Sequence, residues 1–214
     1  MPTTFEDTRR DDLFHRRSLV RLGVSSLALL MSRAARVHGA ERAGSIEDIK
    51  GEGFAESGAV RRLLEREAPV FIADRVGTGP ASRLTLQLGR FTRIRLGERT
   101  RLVIDRYLVD AGGEFTLESG PLLFDRPPGS RPSPVQIRSP FGLIAVRGTR
   151  FFAGPSGTVF GVFVERGRVA VSAGVGEVIL GAGEGTDISH PGAPPTPAKR
   201  WGRERIRAAL ASVS

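Results

Sequence analysis

At 214 residues the chain is the size of one domain and long enough to bury a core without staples, and with no cysteine it can form neither disulfides nor thiolate metal sites. Its formal net charge of +9 overstates the basicity of the folded part, because seven basic and four acidic residues precede Glu41 and leave +6 on the remainder. The basic residues are nearly all arginine, with Lys50 and Lys199 the exceptions, and they are spread along the chain instead of forming an arm or recognition helix, so nucleic-acid binding is not expected.

Residues Met1 to His15 are polar, mixed in charge and too few for a domain. Arg16-Arg17-Ser18-Leu19-Val20-Arg21 then opens a short apolar region, Leu22 to Met31, that resembles a twin-arginine export signal with Arg16 and Arg17 as its pair. About ten apolar residues span roughly 15 Å as a helix, half of a bilayer's hydrocarbon core, so no stable membrane span is expected here. Val37-His38-Gly39-Ala40 supplies small residues for cleavage after Gly39 or Ala40. This reading makes residues 1–40 an export signal with a signal helix and places the mature protein in the periplasm or outside the cell; the competing reading is an ordinary amphipathic N-terminal helix.

Between Ile46 and Glu67, Val60, Leu63 and Leu64 have the spacing of one helical turn, yet strands at Gly51 to Phe54 and Ala68 to Ala73 are favoured. Leu84, Leu86 and Leu88, then Ile94 and Leu96, Leu102 and Ile104, and Phe115 and Leu117 alternate with polar residues, each run a strand with one wet face. They recur about every ten residues with glycines between them, the rhythm of an all-β fold of short antiparallel strands: a two-layer sandwich or roll, or a short β-solenoid. Asp125 to Pro134 is proline-rich and reads as a long connection between two halves of the sheet system.

The densest β-signal runs from Pro134 to Val171. Val135 to Ile137, Leu143 to Val146, Val159 to Val164 and Val169 to Val171 are separated at hairpin-like spacing, as in a meander. Leu143-Ile144-Ala145-Val146 is apolar on both alternating faces, which predicts a strand covered on both sides. Gly148 marks a bulge, a positive φ or a close backbone approach, and Gly167 in Glu165-Arg166-Gly167-Arg168 is placed for φ > 0 in a tight hairpin. The β-domain is expected to span 46–189. Residues 190–214 follow as a proline-rich linker and a short helix, with Ile206, Leu210 and Val213 at helical spacing, that either docks or frays.

Three pieces carry a family resemblance: Val135 to Phe151, Val162 to Val171 and Val178 to Gly185 follow the order of the FecR-type domain, the periplasmic domain of iron-dicitrate regulator proteins. Weaker similarity extends back to about Gly51. In that family Gly148, Thr149 and Gly167 are landmarks of the fold. The resemblance implies an all-β extracytoplasmic module that signals across the envelope by binding another envelope protein, without catalysis. Complete regulators of this kind place a sigma-factor-binding segment and a membrane span ahead of the domain; here fifteen residues precede the twin arginine, so direct sigma-factor control is not expected.

The residue inventory agrees with a binding role. The histidines are His15, His38 and His190, outside the expected β-domain, and no HExxH, nucleophile elbow or P-loop spacing occurs. Carboxylates are dispersed; Glu114 and Glu118 would share a strand face about 13 Å apart, too far to hold one ion. No cofactor and no metal site is expected. Arg83, Arg93, Arg95 and Arg101 should project from wet faces of successive strands and form a candidate anion-binding strip for an anionic envelope polymer. The plainer reading of that strip is a solvated surface. An envelope protein is the expected partner; a polysaccharide-binding or structural module is the alternative.

Overall fold

The computed structural model describes residues 41–108, 112–127, 134–146 and 148–214. The expected export signal, with Arg16, Arg17, Gly39 and Ala40, lies outside the described residues, as does Arg147. In chain order the strands are β1 (Arg42–Lys50), β2 (Gly53–Ser57), β3 (Val60–Leu63), β4 (Pro69–Phe71), β5 (Arg75–Thr78), β6 (Arg83–Leu88), β7 (Thr92–Leu96), β8 (Arg101–Leu108) and β9 (Gly112–Ser119). They continue as β10 (Leu122–Asp125), β11 (Val135–Ser139), β12 (Gly142–Val146), β13 (Arg150–Ser156), β14 (Val159–Arg166), β15 (Val169–Ala173), β16 (Gly176–Leu180), β17 (Glu184–Ile188) and β18 (Lys199–Arg200), and one helix, α1 (Arg203–Ala211), follows.

These strands form two nine-stranded sheets. Sheet A runs β18-β17-β14-β13-β10-β7-β6-β1-β4 and sheet B runs β16-β15-β12-β11-β9-β8-β5-β2-β3. Hairpins β6-β7 in A, β8-β9 in B, β11-β12 in B, β13-β14 in A and β15-β16 in B, with the single strand β10 in A between β9 and β11, take the chain back and forth across one core. Every pairing is antiparallel except β9 with β11. A parallel pair needs a crossover, and β10, which follows β9 in sequence and lies in the opposite sheet, makes the connection one. The antiparallel ladders decide for a two-sheet sandwich and against a solenoid, in which successive coils pair in parallel.

Alternation within strands explains the packing. In β6, Leu84, Leu86 and Leu88 are fully buried while Arg83, Thr85 and Gln87 face outward; in β7, Ile94 and Leu96 are inward and Arg93 and Arg95 outward. Sheet B answers with Val76, Leu102, Ile104, Phe115 and Leu117, and these side chains from both sheets form one continuous core. Each such large apolar side chain removed from water contributes about 1.5–3 kcal/mol.

Val60, Leu63 and Leu64 do not make a helical turn: Val60 to Leu63 form β3, paired to β2 in register from Phe54–Leu63 to Ser57–Val60. Cross-strand pairing overrides a weak helical spacing here. The connection at Gly167 also differs from expectation. Gly167 has φ 93°, but β14 belongs to sheet A and β15 to sheet B, so Glu165-Arg166-Gly167-Arg168 is an arch between sheets and not a hairpin, and the four apolar runs are not a simple meander. Finally, β12 is covered on one side only. Ile144 and Val146 are buried, whereas Leu143 and Ala145 on its outer face are half-buried. Strands covered on both faces include β10, β13 and β14, which lie under the helix.

The segment after Ser189 belongs to the same compact unit as the sandwich. Nine residues of helix are marginal alone, and α1 has no side-chain N-cap, though Glu204 in its first turn suits the helix dipole. Its stability comes from docking. Trp201, Ala209 and Val213, with Ile206 and Leu210, pack against Leu123, Phe152 and Phe163 on the outer face of sheet A. Trp201 stacks on Phe163 at 5.3 Å between ring centroids. Glycine clears the floor for it: a Cβ at Gly161 would meet the indole at 2.7 Å, and one at Gly185 would collide with its Nε1.

Candidate functional site

Three places could carry function: the landmark turn, the arginines, and the outer faces of the two sheets. At the landmark turn Gly148 has φ 64°, with open space where a Cβ would stand, so conformation and not crowding selects glycine there. Gly167 has both reasons, since its Cβ would lie 2.6 Å from the Thr149 methyl. Thr149 is fully buried. Beside this packed corner, the ends of β10, β13 and β14 bring Asp125, Arg150, Glu165 and Arg166 together. Arg150 donates to Asp125 at 2.6 Å and to Glu165 at 2.8 Å, and Arg166 donates to Asp125 at 2.8 Å and to the Arg126 carbonyl at 3.2 Å. Burial lowers the Arg150 pKa, and the bonds to Glu165 and Asp125 more than restore it, so the guanidinium stays charged. Each carboxylate here is bound by a permanent cation, which leaves no free acid or base; the cluster locks the sandwich end. Its members were missed in the sequence because they are scattered over about forty residues and meet only through strand pairing.

The four candidate anion-binding arginines do not form one strip. Arg83, Arg93 and Arg95 share the outer face of sheet A, while Arg101 lies on sheet B, where it pairs with Glu56 at 3.6 Å and stands over the Phe54 ring. Arg93 is bound by Glu47 at 2.5 and 2.8 Å, and Arg83 donates to the Ala211 carbonyl at the end of α1. Among the described residues neither Arg83 nor Arg95 has an ion pair, and Arg93 and Arg101 do. Residues two apart on a strand share a face, but a change of sheet between β7 and β8 turns Arg101 away, and sequence spacing cannot register that.

The outer face of sheet B is a lattice of ion pairs over much of its width. Arg75 binds Glu118 in bidentate fashion and Glu114 takes both Arg106 and Arg138. Glu114 is held below the usual carboxylate range, first by its hydrogen bond from Arg106. Glu114 is therefore occupied by arginines on the two adjoining strands, and Glu118 by Arg75 on β5, across β8. Among the described residues no group of three or more histidine, cysteine, aspartate or glutamate side chains converges on a point where an ion could sit. His190 borders a cleft of about 250 Å³ lined by Phe141, Phe160 and prolines, with no carboxylate in its wall.

Past β11 the lattice ends and the same face turns apolar. Ala145 on β12, Ala170 on β15 and Ile179 on β16 stand side by side in register, and with Val146 and Arg168 they line a groove of about 410 Å³. Ile179 is 59% exposed and Val175 in the adjoining turn is fully exposed. No segment of the described chain covers this row. Sequence gave a partial signal for it, the two apolar faces of Leu143 to Val146, and β16 was the unread part because Val178 and Ile179 look alike until register assigns one inward and one outward.

Residues 74–170 match the family described as FecR protein. Two crystal structures, at 1.65 and 2.50 Å resolution, of a candidate anti-sigma factor from Parabacteroides distasonis share the fold: 16% identity in both, TM-scores of 0.53 and 0.52. The superposed part covers 64% of this chain and 64% and 63% of those chains, so just under two thirds of their length is represented. No curated protein matches the sequence. The Gly148-Thr149 turn and most of the β5-to-β15 scaffold fall inside the matched region, so the match to the FecR protein family rests on residues 74–170.

Proposed function

We propose that this protein is exported to the periplasm or beyond and acts there, without catalysis, by binding another envelope protein in a sensing or regulatory system. The match of residues 74–170 to the FecR protein family supports a regulatory role. The observation that carries the reading is the uncovered apolar row on sheet B, ending a face that is otherwise saturated with ion pairs; apolar surface placed beside polar surface marks a protein interaction site. Polymer binding draws less support, because three of the four candidate arginines already have partners within the chain.

Export and binding are tested together in the native host. Arg16→Lys with Arg17→Lys keeps the charge and should leave full-length precursor in the cytoplasm. Proximity labelling from the exported protein should mark one envelope protein reproducibly. Undiminished export of the double variant removes the twin-arginine route, and labelling no stronger than that of an unrelated exported protein removes the binding role.

A further inference from the structure

Sheets A and B end in four edge strands, and their exposed backbones are treated differently. On sheet A, β4 has three residues and β18 two, and the rest of β17 is bonded by Thr196, which donates its N–H to the Asp187 carbonyl at 2.9 Å and accepts the Asp187 N–H on its hydroxyl at 2.9 Å. On sheet B, β3 exposes Val60 and Leu63 but sets Arg61 and Arg62 between them, ion-paired to Glu52 and Asp74, the kind of charged guard that blocks strand addition. β16 has no basic guard, five residues, and the groove beside it.

Its outward hydrogen-bonding groups can be assigned. The two-residue turn Gly174-Val175 is closed by the Ala173–Gly176 pair, and hydrogen-bonded pairs alternate from there through Val171–Val178 to Val169–Leu180. The N–H and C=O groups of Glu177 and Ile179 therefore point away from the sheet. Their side chains lie on the outer face, Ile179 beside Ala170 and Glu177 beside Ser172. Arg168 stands at the Leu180 end of the groove, exposed and without an ion pair among the described residues, while exposed Glu177, opposite Ser172, is the next outward residue of β16 on the other side of Ile179.

We propose that β16 is the seat of a strand contributed by the partner, running antiparallel to β16 and reading acidic–x–apolar–x–basic from its N-terminus. The acid meets Arg168, the apolar residue lies over Ile179 and the alanine floor, and the base meets Glu177, two residues apart each because one sheet face is read with a period of two. This rests on the protein-binding reading above and names its surface and the chemistry it selects.

The probe is an acetylated, amidated peptide, Thr-Thr-Asp-Thr-Leu-Thr-Lys-Thr-Thr, titrated into the isotope-labelled full chain and followed by amide NMR. Saturable shifts should centre on Glu177 to Leu180 and Arg168. Ile179→Pro removes an outward N–H and no ladder bond, so it should abolish binding with little change in melting temperature. Exchanging Asp and Lys in the peptide should weaken binding about tenfold, and Arg168→Glu with Glu177→Lys should reverse that preference. If Ile179→Pro does not fold, Ile179→Ala and the charge reversal still decide the matter. Absence of saturable binding, shifts centred elsewhere, binding retained in Ile179→Pro, or indifference to charge order each overturns the proposal. So does a concentration-dependent dimer abolished by Ile179→Pro, which would assign the edge to a second copy of this chain. Should proximity labelling find a partner whose photocrosslinks map away from β16, the strand site falls and the binding role stands.

Discussion

The outer faces of the two sheets are built alike and finished differently. Each is charged over one part and apolar over another. On sheet A the apolar part, Leu123, Phe152 and Phe163, is roofed by Trp201 and α1; on sheet B the corresponding row, Ala145, Ala170 and Ile179, has no roof in the described chain. The difference teaches that an apolar pattern on both faces of a strand is a demand for cover, not a statement of who supplies it. β14 finds its cover in the same chain, from a helix that could not persist without the face it sits on. β12 and its neighbours do not, and small side chains, Ala145 and Ala170, keep the exposed apolar area modest enough for the row to stand open.

The comparison breaks most visibly at the roof. Trp201→Ala should destabilise the domain by about 3–5 kcal/mol, read by urea or thermal unfolding, because it empties the space between Phe163 and Arg205 and unseats α1. A change under 1 kcal/mol would mean that the helix is an ornament and that both faces are effectively open. Next in size, Gly148→Val forces a β-branched residue into φ 64° and should cost roughly 1–3 kcal/mol although nothing is crowded there. A melting curve superposing on that of the wild type would contradict it.

The roof also has an electrostatic fastening, which gives a pH dependence that sheet B's row lacks. Asp187 accepts from Arg205 at 2.5 and 3.1 Å and pairs with Lys199 at 3.0 Å. Burial alone would raise its pKa, but the bonds and charges of Arg205 and Lys199 outweigh it and hold the carboxyl below its ordinary value near 3.8. A depressed folded-state pKa means that the unfolded chain binds the proton first, so the contribution is complete above about pH 4 and is lost as pH falls through the folded value. Asp187→Asn should therefore be less stable than the wild type at pH 7, with the gap closing in acid; a gap independent of pH would assign the effect to packing. The smallest effect is expected on the open side. Ile179→Asp should change stability by less than about 0.5 kcal/mol, since the side chain is already in water, and a loss of 2 kcal/mol or more would show the row to be covered in solution.

Most of the fold was legible because strand chemistry is local. Leu84, Leu86 and Leu88 announce an inward face by alternation alone, the glycines at the turns declare positive φ, and Ile206, Leu210 and Val213 announce a helix by period. The Gly148-Thr149 and Gly167 landmarks could be located in the same way, as positions, before their surroundings were known. What remained hidden depended on which strands become neighbours. Asp125 finds Arg150 and Arg166 only once β10, β13 and β14 lie in one sheet; Arg101 leaves the company of Arg83, Arg93 and Arg95 only because β8 crosses to the other sheet; Gly167 turns out to bridge two layers where a hairpin was expected. A sequence read alone sets the inward or outward alternation of each strand, since that follows from the backbone's period of two. Which sheet a strand joins, and whether its second apolar face is roofed by Trp201 or left open beside Ile179, is decided by the competition of all eighteen described strands for one core, and that is a property of the assembled sandwich.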